Sequence, residues 1–82
     1  MKITITFTNE KKNIDYMLNE EITIKMALDI ISKNDQFEIP FELRYVYSER
    51  KKENISINFS FKQANIYSGD IIRVFKSGGE DA

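Results

Sequence analysis

The chain contains no cysteine, which excludes a disulfide framework, a thiolate nucleophile and a thiolate metal site. It contains no histidine either. It therefore lacks the side chain whose ordinary pKa suits proton transfer near neutrality, and the commonest metal ligand. No apolar run comes near the ~18 residues needed to cross a bilayer, and no Gly-rich phosphate loop leads into a helix pattern. Charge of a single sign is also missing, since 12 basic and 13 acidic side chains are interspersed for a formal net charge of −1. A field so balanced gives no electrostatic handle on nucleic acid or on an anionic membrane surface. An alternating pattern starts directly after Met1, so no signal peptide is expected. These absences set the first expectation: a cytoplasmic protein that is not an enzyme, with no cofactor, no metal, no nucleic-acid partner and no membrane insertion.

What is present is enough for one small domain. The 82 residues are 41% hydrophobic and 30% charged, too apolar for disorder, and a chain of this size buries only about 60–65% of its unfolded surface. Residues 2–8 alternate strictly, with Ile3, Ile5 and Phe7 against Lys2, Thr4, Thr6 and Thr8, the period of a half-buried strand. After a polar turn from Asn9 to Asn13, Ile14, Tyr16 and Leu18 resume the alternation and predict a hairpin. The period changes at Thr23, a candidate N-cap preceded by Glu20 and Glu21. Ile24, Ala27, Leu28 and Ile31 then follow at helical spacing, with the helix expected to fade around Ser32 to Asn34. Phe37, Ile39 and Phe41 surround the only proline, Pro40, which predicts an extended connection.

Leu43, Tyr45 and Tyr47 alternate with Arg44, Val46 and Ser48 as a third strand, and the charged run Glu49 to Glu53 reads as a solvated hairpin loop. Ile55, Ile57 and Phe59 mark a fourth strand, and Phe61 to Asn65 a single helical turn. Gly69 supplies the positive φ of a tight turn before a last strand, Asp70 to Phe75. The order β-β-α-β-β-β, with one apolar face per strand, predicts an α+β β-grasp in which the helix crosses one face of a mixed sheet. The domain is expected over 1–76, with 77–82 as a flexible tail.

The hairpin, the segment Glu21-Ile22-Thr23-Ile24 at the helix start, and the closing stretch Phe61 to Ile72 with its Gly69-Asp70 turn resemble the ubiquitin-like superfamily over residues 1–75. Two branches are similar. One is the YukD/EsaB-like proteins, non-conjugated accessory factors of type VII secretion, which this chain resembles in length and in its Gly-Asp closing strand. The other is the conjugated modifiers, whose tail ends in Gly-Gly. Here Gly78-Gly79 is followed by Glu80-Asp81-Ala82. Resemblance to that branch implies a bacterial modifier that a peptidase trims after Gly79 and that activating and conjugating enzymes attach to other proteins. Glycines suit that role, because without a Cβ they thread a narrow channel and bring a terminal carboxylate to a nucleophile. The alternative roles are the secretion accessory, whose partners are the secretion machinery, and a generic β-grasp protein-binding module.

A partner surface is expected on the outer sheet face, from Arg44 and Val46 on the third strand and Ile71, Arg73 and Phe75 on the last. Val46 and Phe75 would form an apolar spot ringed by arginines, in the region that ubiquitin-like proteins use for recognition. Tyr45, Tyr47 and Tyr67 are assigned to core and sheet packing, because no surplus of basic charge accompanies them for base stacking.

Overall fold

The computed structural model describes residues 1–75, so Gly78, Gly79 and the expected tail lie outside the described residues. The elements are β1 (Lys2–Thr8), β2 (Asn13–Asn19), α1 (Ile24–Asp35), β3 (Tyr45–Ser48), β4 (Glu53–Ser56) and β5 (Ile71–Arg73). The expected order holds.

The hairpin is in the register that its apolar pattern demands. Ile3 faces Leu18, Ile5 faces Tyr16 and Phe7 faces Ile14, so these six side chains share one face, with Met17 alone of the apolar residues turned outward opposite Thr4. A one-residue slip would turn all six to water. Asn9 closes the turn through its side chain, which accepts from Lys11 N at 3.0 Å and Lys12 N at 2.9 Å. The helix starts where Thr23 Oγ1 accepts from Met26 N at 3.1 Å, an N-cap that satisfies one of the otherwise orphaned amides of the first turn. It ends in a left-handed Gln36, with Lys33 in the last turn at the negative end of the dipole. Ile24, Ala27, Leu28 and Ile31 are all buried, as their spacing predicts.

The five strands form one sheet in the order β2-β1-β5-β3-β4. β1 and β5 are parallel, with Phe7 opposite Ile72, and the remaining pairs are antiparallel. The parallel pair needs a long crossover, which the helix and the β3–β4 hairpin provide. The inner sheet face closes against the helix around Ile5, Phe7, Val46, Ile72 and Val74, joined by Phe37 and Phe61 from the connections. Gly69 adopts φ +96°, the positive value expected of its turn.

Four local expectations are corrected. The last strand, β5, spans Ile71–Arg73 rather than Asp70 to Phe75, because the Asp70 side chain is engaged in the turn, bonding to Ser48 and Arg50 N. The helix runs one residue beyond Asn34, to Asp35. β3 begins at Tyr45 rather than Leu43, since the chain is still leaving the Pro40 connection. β4 ends at Ser56, with Ile57 half-buried and Phe59 49% exposed. Backbone bonds from Ile24 N to Phe59 O and from Lys25 N to Ile57 O, both 2.9 Å, commit residues 57–59 to the helix start instead of to a strand.

A candidate protein-interaction face

Register fixes what the sheet shows to solvent. Asn13, Thr8, Arg73, Tyr47 and Asn54 form one row across the outer face, and Asp15, Thr6 and Ile71 form the next. The threonines of β1 leave the β2 half mostly polar, with Met17, 64% exposed, its one large apolar side chain, and Thr6 Oγ1 donates to Asp15 at 2.6 Å. The β3 half is different. Tyr45 is 45% exposed, Ile71 is 40% exposed and Tyr47 is half-buried, all around Arg73. Tyrosine and arginine pair apolar area with a polar end, a composition enriched where proteins meet.

Of the five residues expected to face a partner, the structure keeps Ile71 and Arg73 on the sheet's outer face, sets Phe75 just past the end of β5 and moves the other two. Val46 is 1% exposed and belongs to the core. Arg44 is exposed but lies beyond the start of β3, lining a groove beside the helix. The physical reason is the phase of β3. Val46 and Ser48 point inward, so Tyr45 and Tyr47 point outward. The assignment of the tyrosines to the core is corrected with it, and Tyr67 is likewise 59% exposed. Phe75 is half-buried, at a hollow of about 380 Å³ shared with Asn9, Glu10, Glu38, Ile39 and Pro40. It flanks the tyrosine face at the exit of β5 rather than joining Val46 in a patch.

The phase of β3 is set by a buried polar pair. Asp70, 1% exposed, accepts from Ser48 Oγ at 2.6 Å, Arg50 N at 3.1 Å and Ile71 N at 2.7 Å. Ser48 Oγ in turn accepts from Lys51 N at 3.1 Å. These bonds tie the Glu49–Lys52 turn to the start of β5 and so hold Tyr47 and Arg73 side by side. Sequence periodicity misses the pair because a serine on a strand reads as outward-facing. The available signal is that the expected tight turn places Asp70 at the entrance to a central strand, where a carboxylate needs partners.

On the surface, Arg73 Nε donates to Glu49 Oε2, which offsets the cation and leaves the face apolar and near neutral. With side chains 46% and 32% exposed, such a pair contributes little to stability, typically ~0.5 kcal/mol or less. Arg73→Ala is therefore expected to shift the urea unfolding midpoint barely at all. A loss above ~1 kcal/mol would show that Arg73 supports the fold.

No protein-family model and no curated protein matches the sequence. Solved structures do match by shape. The N-terminal ubiquitin-like domain of the 4931431F19Rik protein aligns with TM-score 0.66 at 12% identity, over 88% of this chain and 71% of that one. The C-terminal ubiquitin-like domain of mouse tubulin-specific chaperone e aligns with TM-score 0.68 at 15% identity, over 94% and 88%. A de novo design based on ubiquitin gives TM-score 0.68 at 12% identity, over 88% and 84%. The fold is ubiquitin-like: an α+β β-grasp with one helix on a mixed five-stranded sheet. Among the described residues no helix is long and apolar enough to cross a membrane.

Proposed function

We propose that this domain is a non-catalytic cytoplasmic module that other proteins bind through Tyr45, Tyr47, Ile71 and Arg73, and that Gly78-Gly79 makes it a covalent modifier. The observation that carries the binding role is the outer face of β3 and β5, where tyrosines and an isoleucine surround an arginine already neutralised by Glu49. A partner can cover such a face without stranding a buried charge. The absence of histidine and cysteine supports a role without chemistry of its own.

The modifier role rests on sequence and on the exit of β5. Phe75, half-buried just past β5, is the last described residue, and in the sequence Ser77-Gly78-Gly79 follows after Lys76. Trimming after Gly79 would expose the carboxylate for an activating enzyme, and then for a conjugating enzyme. The other reading, a YukD/EsaB-like accessory of type VII secretion, uses the same fold without tail chemistry. Its support is the length of the chain and its Gly69-Asp70 closing strand.

Intact mass of the untagged protein from its native host separates the two. The modifier reading expects loss of Glu80-Asp81-Ala82, with higher-mass adducts that vanish when Gly79 is deleted. A chain that retains Ala82 and forms no adduct would exclude conjugation and leave the accessory reading.

A further inference from the structure

The least accounted-for side chain is Phe41, which is 85% exposed in the turn after Pro40. Phenylalanine offers about 150–250 Å² of surface to bury, and here almost none of it is used. The same segment, 39–45, forms one wall of a groove of about 610 Å³, whose other walls are α1 and the turn at 56–58. Leu28, Ile39, Leu43 and Ile57 give the groove an apolar lining. Lys25 and Asp29 on the helix and Glu42 and Arg44 on the facing wall give it two charges of each sign. None of these four forms an ion pair among the described residues, whereas Glu20, Glu38, Glu49 and Glu53 all do.

We propose that this groove is the interface of a weak two-fold homodimer, in which Phe41 of each copy seats in the groove of the other. An isologous contact requires one patch to complement itself. A protruding aromatic beside an apolar slot, with a rim balanced in charge, meets that requirement. The net charge of −1 offers little repulsion between copies. Two Phe41 side chains bury about 300–500 Å², against the roughly 1,200 Å² at which stable interfaces begin. The groove walls must supply the remainder, which places the dimer at the weak end. The groove adjoins the tyrosine face at Tyr45, which lines both, but the pairing through Phe41 does not depend on the proposed function.

The test is sedimentation velocity and amide NMR on the full chain from about 10 µM to about 1 mM, the range suited to so small an interface. The sedimentation coefficient is expected to rise toward that of a dimer, with concentration-dependent shifts centred on Phe41, Leu43 and Ile57. Phe41→Ala is expected to weaken association at least ~10-fold without lowering the melting temperature, as for a buried interface anchor. Asn58→Arg, which fills the groove and leaves Phe41 intact, is expected to do the same. A chain that stays monomeric throughout, as it would if a different protein occupied the groove, overturns the proposal. So does a dimer that survives either substitution.

Discussion

Phe61→Ala is expected to cost about 3–5 kcal/mol, the range for truncating a buried phenylalanine and leaving a cavity. Phe61 is fully buried and meets Phe7 edge-to-face, with ring centroids 6.4 Å apart at 83°. Its surroundings leave little room to collapse onto the vacated space. Ser60 and Gln63 cap the turn reciprocally, Ser60 N to Gln63 Oε1 and Gln63 N to Ser60 Oγ, both at 3.0 Å, in the manner of a capping box. Ile66 N bonds to Phe61 O at 2.9 Å, and Lys62 N to Glu20 O at 2.9 Å. Domains of this length have total stabilities of about 4–12 kcal/mol. The variant should therefore melt at least ~12 °C lower, or lose its cooperative transition altogether. A loss below ~1 kcal/mol in urea unfolding would mean that the 61–66 turn is not part of the core.

Asp70→Ala is expected to destabilise by about 3 kcal/mol, although it removes a surface-type residue from a turn. The substitution strands Arg50 N and Ile71 N and deprives Ser48 Oγ of its acceptor, and buried donors left unpaired cost ~1–3 kcal/mol each when water cannot replace the partner. Asp70→Asn should be milder, at about 1 kcal/mol, because the amide oxygen can still accept from both backbone N–H groups while its NH₂ turns to Ser48. The contrast between the two variants, read by urea unfolding, isolates the hydrogen bonds from the shape of the side chain. Equal losses would contradict the role given to the Ser48–Asp70 pair. The Ala variant should also blur the tyrosine face, since the Glu49–Lys52 turn loses its anchor.

Much of the fold is legible in the sequence wherever a single period dominates. Ile3, Ile5 and Phe7 against four polar neighbours leave one choice of face, and Ile24, Ala27, Leu28 and Ile31 leave one choice of helical stripe. The site is less legible because β3 runs against its own polarity. Ser48 is buried and hydrogen-bonded to Asp70, while Tyr45 lies outside with its ring half in water. Hydropathy weighs a serine as exposed and a tyrosine as buried. A partner 22 residues away reverses both, carries Val46 inward, and moves the candidate face from Val46 to the tyrosines. Arg73 is legible as outward-facing because its neighbours Ile72, within β5, and Val74, just after it, are unambiguously apolar and buried. The end of β4 is not legible because Ile57 and Phe59 keep the strand period while their carbonyls bond to the helix start.

The central claim, that proteins bind the outer face of β3 and β5, is tested most directly by site-specific photo-crosslinking in the native host. A benzophenone amino acid would replace Tyr47, and a control would carry it at the exposed helix position Lys33. The account predicts discrete protein adducts from position 47, with masses other than twice the chain, that are absent from position 33 and diminished by Phe75→Ala in the same background. No adduct from position 47, or the same adducts from both positions, would contradict it.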